Sequence, residues 1–241
     1  MPMTNIAVVT GAARGLGAYI VKSLASEGYT LVIHYKTSAD DAKKILADIR
    51  KNSPDSIIVS ADLTVENDVN KLFKNVISLY GRIDLLVNNV GNFLFKPFGK
   101  TSNSEFKDIL ESNIYSTILA SRAVLPTMRK QGSGHIINIG AVGVERLIIR
   151  ENSTPYFLAK TGIYVLTKAM AWEEAKHGIH VNMISPSSLK TDIFSASDFP
   201  MGRSAHYEDV YKVLAFLTSN DAYYINGANI EVSGAFVPGM V

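Results

Sequence analysis

Tyr156 and Lys160 lie four residues apart at the start of a segment that the sequence predicts to be a long helix ending near residue 177. Pro155 suits the first turn of such a helix, and side chains four residues apart share one helix face. The pKa of an unperturbed tyrosine is about 10, and a neighbouring ammonium lowers it by stabilising the phenolate. The pair could therefore donate a proton to a carbonyl oxygen. On its own, the same spacing is more typical of an ordinary helix surface.

A glycine-rich turn follows the first predicted strand, residues 6–10, and precedes a predicted helix from about residue 16 to residue 27. Its glycines are Gly11, Gly15 and Gly17. Missing side chains permit a tight turn and a close approach of the backbone to a pyrophosphate, and the helix N-terminus offers free N–H groups to the anion. The pattern therefore predicts a dinucleotide-binding turn, the alternative being an ordinary glycine-rich connection.

Charge at the adenosine end of this site distinguishes NADPH from NADH. NAD sites usually place an acid at the end of the second strand, where it binds the ribose 2′-hydroxyl, whereas a 2′-phosphate favours a base. Here that strand ends in Tyr35 and Lys36 and is followed by Ser38, with no acid before Asp40. Arg14 in the glycine turn adds a second cation. We therefore expect NADPH, the alternative being that Lys36 is a solvated loop charge.

The elements that must position these residues alternate along the chain. Seven short β-rich segments are separated by segments of helical periodicity, which predicts a single α/β domain over residues 1–241 with a Rossmann fold. Its doubly wound, seven-stranded parallel sheet carries helices on both faces. The Ser- and Pro-rich segment 185–203 is predicted to be a substrate lid or loop over the carboxyl ends of the strands. The predicted strands are residues 6–10, 30–35, 56–60, 85–88, 135–139, 180–184 and 230–232.

The composition excludes several other kinds of chemistry. Apolar residues make up 47% and charged residues 19% of the chain, which suits a thick buried sheet. The net charge of +2, with scattered Lys and Arg, argues against a nucleic-acid partner. Without cysteine, and with five histidines that form no zinc-type cluster, no metal is expected. No apolar segment approaches the roughly 20 residues that span a bilayer, and no export signal is visible, so we expect a cytoplasmic protein.

Further residues complete a pattern in chain order. Asp62 follows the third predicted strand, Asn88 and Gly91 follow the fourth, and Asn113 lies in a central helix before Tyr156. Together with the glycine turn, these motifs make nearly the whole chain resemble the short-chain dehydrogenase/reductase family, and most of all its 3-oxoacyl-[acyl-carrier-protein] reductase branch. The resemblance implies hydride transfer from NADPH to a carbonyl, such as the ketone of a 3-oxoacyl thioester.

The resemblance also implies roles for individual residues. Tyr156 would be the general acid, Lys160 would support it and hold the nicotinamide ribose, and Asn113 would hold a water that relays protons. A homotetramer or homodimer would pack through the helix that contains Asn113 and the helix that starts at Tyr156. The residues predicted to bind the cofactor are Gly11, Arg14, Gly15, Leu16, Gly17, Tyr35, Lys36, Ser38, Asp62, Leu63, Asn88, Gly91, Lys160, Pro186 and Thr191.

Two positions depart from the family pattern. Ala141 stands at the end of the fifth strand, where the family ordinarily supplies a serine that donates to the substrate oxygen, and Ser187 replaces the glycine usual after Pro186. Losing one such donor can lower turnover by roughly 10²- to 10³-fold. Two alternatives stay open: a pteridine-reductase-like enzyme, which segment 144–146 resembles, and a nucleotide-binding regulatory protein with weak or no turnover.

Segment 93–95, Phe-Leu-Phe, follows Gly91 closely. Its aromatic rings could line a pocket for an apolar chain or stack on a flat ring. The alternative is that these rings pack onto the core. Ser153, just before the long helix, is predicted to be its N-cap, although it could also approach the site.

Overall fold

The computed structural model describes residues 4–148, 150–189 and 194–237, and it contains one parallel sheet of seven strands within that part of the chain. The strand order is β3-β2-β1-β4-β5-β6-β7, so the direction of winding reverses between β1 and β4. Ligands in open α/β sheets bind at this kind of switch point. The strands are β1 Ile6–Val9, β2 Thr30–Tyr35, β3 Ile57–Ser60, β4 Leu85–Asn88, β5 Gly134–Ile139, β6 Ile179–Pro186 and β7 Asn229–Val232.

Helices cover both faces of the sheet, which confirms the doubly wound α/β prediction. The buried side chains of α1, α2 and α7 pack on one face, and those of α3, α5 and α6 pack on the other. Successive β1 residues alternate between the two cores, with Ala7 and Val9 facing one and Ile6 and Val8 facing the other. The helices are α1 Gly15–Ser26, α2 Ala39–Ile49, α3 Glu66–Tyr80, α4 Asn103–Leu110, α5 Ser116–Gln131, α6 Thr154–Glu174 and α7 Tyr207–Leu217.

The long central helix contains a widened turn. Residues Glu111–Tyr115 adopt a π-helical conformation, and they join α4 to α5 without a break in the chain direction. Such a turn inserts one extra residue into an α-helix and is frequently found at functional sites. It carries Asn113, the residue predicted to relay protons.

The segment predicted to be a lid or loop begins inside a strand. Segment 185–203 was expected to be irregular, but β6 continues through Pro186, because Ser185 and Pro186 pair with Glu231 and Val232 of β7. Beyond the strand, Leu189 forms an isolated parallel bridge with Ala205. Serine and proline suggested a loop, but the partner strand supplies the pairing that extends β6.

In the described part of the chain, no helix is long and apolar enough to cross a membrane.

Candidate active site

The turn between β1 and α1 adopts a conformation that needs its glycines. The φ angles of Gly11 and Gly15 are 61° and 56°, in the left-handed region that residues with a Cβ seldom adopt. A Cβ on Gly17 would lie only 2.5 Å from the carbonyl oxygen of Gly11. Because α1 starts at Gly15, the first N–H groups of this helix, which have no partner within the helix, lie at the turn. This is the arrangement that an anion site requires.

Two side chains outside the predicted site residues hold the turn in place. Asn89 Nδ2 donates to the carbonyl oxygens of Thr10 and Gly11, at 3.0 and 3.1 Å. His34 Nδ1 lies 3.1 Å from the Gly11 nitrogen, and its Nε2 lies 3.0 Å from the Ala61 carbonyl oxygen. Because a carbonyl only accepts, Nε2 carries the proton and Nδ1 accepts the Gly11 N–H. Asn89 adjoins a predicted site residue, whereas a histidine on a buried strand gives no sequence signal.

A cavity of about 330 Å³ opens between the glycine turn and the carboxyl ends of β2 and β3. Its walls combine backbone, short polar groups and charges, which suits an adenosine with phosphates attached. The structure brings a group of the predicted cofactor residues together here: Gly11, Arg14, Tyr35, Lys36, Ser38, Asp62 and Leu63.

Both cations predicted to bind a 2′-phosphate have carboxylate partners. Lys36 Nζ lies 2.7 Å from Asp62 Oδ2, and Arg14 pairs with Asp41 in the first turn of α2. Partial burial raises the pKa of Asp62, but hydrogen bonds from Lys36 and Thr64 outweigh burial and hold this pKa at about 2. The sequence has no acid at the end of β2, but in the folded protein Asp41 and Asp62 lie beside the two cations. The charges of the two pairs therefore nearly cancel.

Tyr156 and Lys160 share one face of the first turns of α6. The buried Lys160 Nζ donates to the carbonyl oxygen of Ile139 at 2.8 Å and lies 5.6 Å from the centroid of the Tyr156 ring. Burial lowers the pKa of Lys160 to about 8 and raises that of Tyr156 to about 12. The expected lowering of the tyrosine pKa is therefore wrong for this conformation, because burial dominates and the ammonium is directed at a carbonyl.

Asn113 is fully buried beside the loop that follows β4. Its Nδ2 donates to the carbonyl oxygens of Asn92 and Ile109, at 2.9 and 3.0 Å. Its Oδ1 has no hydrogen-bond partner among the described residues, and a Cβ on Gly91 would lie 2.1 Å from that oxygen. The backbone oxygen of Asn113 accepts from the hydroxyl of Thr117 at 2.8 Å. Gly91 therefore makes room for the amide, and the unpartnered oxygen suits a bound water.

A second cavity, of about 320 Å³, lies beside Tyr156. Ala141 and Pro186 line it together with Tyr156, so the position of the missing serine faces the same space as the candidate acid. Phe93 packs edge-on against Tyr156 at 5.0 Å between ring centroids and is half exposed, so this ring borders the cavity and is not part of the core. The remaining lining residues are Val142, Arg150, Phe157, Ser187, Ser188, Leu189 and Phe194.

The other predicted residues that the structure describes do not line either cavity. Leu16 is buried in the core under α1. Asn88 Nδ2 donates to Ser121 Oγ and Asn138 Oδ1, at 3.0 and 2.9 Å, so this side chain joins β4 to β5 and α5. Thr191 falls outside the described residues. Ser153 occupies the N-cap position of α6, as predicted, but its side chain makes no capping hydrogen bond. Its Oγ donates instead to the Arg150 carbonyl oxygen at 2.7 Å.

Segment 144–146, which resembled pteridine reductases, is held by contacts within the chain. Glu145 accepts from the hydroxyl of Tyr164 at 3.0 Å, and Arg146 pairs with Glu231 at 2.6 Å. No group of three or more potential ligands that could hold a metal ion occurs in the ranges that the structure describes.

Comparison with known proteins decides the family. The model of the family described as short chain dehydrogenase matches residues 5–199. The chain belongs to the short-chain dehydrogenase family. Two relatives are the 3-oxoacyl-[acyl-carrier-protein] reductases FabG of Staphylococcus aureus, 32% identical over 97% of this chain and 98% of that protein, and of Haemophilus influenzae, 33% identical over 95% and 97%. The structure of acetoin dehydrogenase YohF from Salmonella typhimurium superimposes with a TM-score of 0.89, at 26% identity over 97% of this chain and 96% of that one.

Membership of the short-chain dehydrogenase family makes the protein an oxidoreductase that uses a nicotinamide cofactor. The chain also resembles the 3-oxoacyl-[acyl-carrier-protein] reductases over nearly its full length, as the sequence motifs predicted. The residues at the first cavity suit such a cofactor, because the glycine turn brings the N-terminus of α1 to the cavity wall.

Proposed function

We propose that this short-chain dehydrogenase reduces a ketone, of the kind found in a 3-oxoacyl thioester, with NADPH. The observation that carries the proposal is the position of Tyr156, which lines a cavity together with Pro186 at the end of β6 and has Lys160 one turn further along α6. The cavity is mostly apolar, so a carbonyl compound with a short carbon chain fits its walls.

The mechanism follows from the protonation of these residues. A nicotinamide cofactor held by the glycine turn and Lys160 would supply the hydride that forms the new C–H bond at the carbonyl carbon. Tyr156 Oη then gives its proton to the carbonyl oxygen, so the ketone becomes an alcohol and the phenol becomes a phenolate. Burial raises the pKa of Tyr156 to about 12, so the phenol holds its proton at neutral pH and can act as the acid. The Lys160 ammonium, released from the Ile139 carbonyl, would stabilise the phenolate, and Asn113 would hold the water that returns a proton.

Turnover with a panel of ketones tests the reaction. Loss of NADPH absorbance with acetoacetyl thioesters, pterins and small ketones should reveal activity, and Tyr156→Phe should reduce kcat by roughly 10²- to 10⁴-fold because the acid is lost. Cofactor dissociation constants should stay within about twofold. Turnover by Tyr156→Phe equal to that of the wild type would contradict the proposed acid.

The choice of NADPH rests on Arg14, Lys36 and Ser38, which line the adenosine cavity. The two cations would have to leave Asp41 and Asp62, or share them, to bind a 2′-phosphate. We expect fluorescence titration to give tighter binding of NADPH than of NADH, and Lys36→Ala to remove at least part of the difference. Lys43→Ala is the matched control, because Lys43 pairs with Asp40 outside the cavity lining. Equal affinities of the wild type for both nucleotides would rule out the preference.

A nucleotide-binding regulatory protein is the second candidate, and Ala141 is the observation that favours it. Its signature would be tight cofactor binding without turnover on any ketone of the panel. Replacing Ala141 by Ser separates the two candidates, since a large gain in rate shows that the rest of the site is assembled.

Assembly and location belong to the same proposal. We infer a homotetramer or homodimer that packs through α4, α5 and α6, and a cytoplasmic location like that expected from the sequence. Exposed apolar side chains on α6 support the assembly: Leu158, Val165 and Trp172 are spaced by seven residues and so lie along one face of that helix.

A further inference from the structure

Arg150 lines the second cavity with Tyr156, and two aromatic rings contact it. Its guanidinium carbon lies 4.8 Å from the centroid of the Phe95 ring and 4.9 Å from that of the Phe194 ring. These rings come from different loops, one after β4 and one after β6. Stacked rings hold a guanidinium by its faces and leave the N–H donors at its edge available.

Among the described residues, no carboxylate forms an ion pair with Arg150. In the same loop, by contrast, Arg146 is paired with Glu231. The loop is fixed at its base, because Ser153 Oγ donates to the Arg150 carbonyl and the Lys96 N–H donates to the Asn152 carbonyl at 2.6 Å. A cation that is held in position without an acid partner, on the wall of a mostly apolar cavity, suits the binding of an anion.

The geometry points to a carboxylate-bearing ketone, a short oxo acid, as the substrate class, with Arg150 binding the carboxylate while Tyr156 meets the ketone oxygen. This inference rests on the proposed carbonyl reduction. The cavity of about 320 Å³ is at the small end of ligand pockets, which run from about 300 to 1,000 Å³, so the charge must lie on the same small molecule as the ketone.

Matched acid and ester pairs test the substrate class. The probes are acetoacetate and levulinate, each compared with its methyl ester, in steady-state turnover with NADPH and in NMR titrations with NADP bound. We expect at least one acid to be preferred over its ester by roughly 10- to 100-fold in kcat/KM and in affinity. Arg150→Gln should remove that preference by lowering kcat/KM for the acid more than for the ester, whereas Arg146→Gln, the control from the same loop, should keep it.

The outcomes separate this inference from the proposed reaction. Absence of turnover with a retained, Arg150-dependent preference in the titrations would count against the reaction and support the anion site. Equal affinity for acids and esters in the wild type, or an acid preference that survives in Arg150→Gln, would overturn the substrate class. Arg150→Lys keeps the charge but loses the planar contact with the rings, so its acid preference should be intermediate.

A different observation carries a second inference, which concerns the missing serine donor. The ends of β5 and β6 lie side by side, because the Gly140 N–H donates to the Ile184 carbonyl at 2.8 Å and the Val142 N–H donates to the Pro186 carbonyl at 3.3 Å. Ala141 and Ser187 therefore occupy neighbouring strand ends, and both line the cavity of Tyr156.

Ser187 has a hydroxyl without a partner. The residue is more than nine-tenths buried, and its Oγ accepts from and donates to none of the described residues. Its backbone is fixed, since the Ser187 N–H donates to the Val232 carbonyl at 3.1 Å. A buried hydroxyl left without a hydrogen bond costs stability unless a ligand supplies the partner. We infer that Ser187 Oγ donates a hydrogen bond to the substrate oxygen in place of the hydroxyl that Ala141 lacks.

Exchange of the hydroxyl between the two strands tests this role. Ser187→Ala should lower kcat on the best ketone by roughly 10- to 100-fold without changing the dissociation constant of NADPH, and adding Ala141→Ser to that variant should restore most of the rate. Ser26→Ala is the control, because Ser26 is exposed on α1 and does not line the cavity, and its kcat should stay within about twofold of the wild type. Ser187→Gly serves as a second variant if Ser187→Ala folds poorly. An undiminished kcat in both Ser187 variants, or a wild type that turns over only after Ala141→Ser, would overturn the role.

Discussion

At the scale of single residues, His34 couples the nucleotide turn to the sheet. Its ring lies between the Gly11 N–H and the Ala61 carbonyl and is almost fully buried. Burial lowers the pKa of His34 to about 4, although the Ala61 carbonyl and Asp62 act in the opposite direction. A protonated ring could no longer accept the Gly11 N–H, so its neutral form is part of the folded turn.

This histidine predicts a pH dependence of stability. In the unfolded chain its pKa is about 6.5, so the unfolded state takes up a proton first as the pH falls. The contribution is fully present above pH 6.5 and is lost between pH 6.5 and pH 4. Between pH 7 and pH 5 the loss is about 2 kcal/mol of unfolding free energy. Urea unfolding at both pH values should show a smaller loss for His34→Asn than for the wild type, and equal losses would refute the assignment.

Chain order predicted that several of the candidate cofactor residues lie together, and that their cavity binds the adenosine stays a prediction. Gly11, Lys36 and Asp62 lie around one cavity as chain order suggested. The carboxylate partners of the two cations were not predictable, because Asp41 and Asp62 reach Arg14 and Lys36 from α2 and from the end of β3. Pairing between separate elements depends on tertiary distance, which a single sequence does not encode in any local pattern.

At the scale of elements, the widened turn between α4 and α5 was not predictable from the sequence. The sequence keeps a helical pattern through Glu111–Tyr115. A single extra residue in one turn does not change that pattern visibly. The strands were predicted better, each within two residues of its observed bounds, because short apolar runs between turn residues mark buried parallel strands.

The contact between this turn and the β4 loop gives a prediction for Gly91→Ala. The added Cβ would lie 2.1 Å from Asn113 Oδ1, in a side chain that is fully buried and held by two hydrogen bonds. We expect the free energy of unfolding to fall by about 1–3 kcal/mol, as in other overpacked sites. Chemical denaturation measures it.

Gly99→Ala is the matched control, because a Cβ at Gly99 would meet nothing within 4 Å. Its unfolding free energy should change by no more than about 0.5 kcal/mol. If both variants unfold at the same denaturant concentration as the wild type, the Asn113 side chain can move aside. The close contact between Gly91 and Asn113 then does not contribute to the free energy of unfolding.

At the scale of the whole molecule, α6 carries the candidate acid near its start and an apolar stripe along its exposed side. Trp172 ends this stripe and is 88% exposed. Large exposed aromatic residues are frequent centres of protein–protein interfaces. Together with Leu158 and Val165, it marks the surface through which a second copy of the chain is proposed to pack.

Substitution of Trp172 tests the assembly. Trp172→Lys should raise the dissociation constant of the oligomer by roughly 30-fold or more, because truncating an interface hot spot costs about 2 kcal/mol or more. Analytical ultracentrifugation over a dilution series measures the mass. Leu79→Lys is the control, since Leu79 is 57% exposed and lies on α3, and it should keep the wild-type mass. An unchanged mass for Trp172→Lys would place the interface elsewhere.

The two outer strands of the sheet, β3 and β7, are each only four residues long and each has a single neighbouring strand. Unpaired edges of a sheet are templates on which further strands can add, and short edges limit this growth. Crowded solutions of the protein should therefore resist fibril formation, since few open backbone groups remain for an incoming chain to pair with.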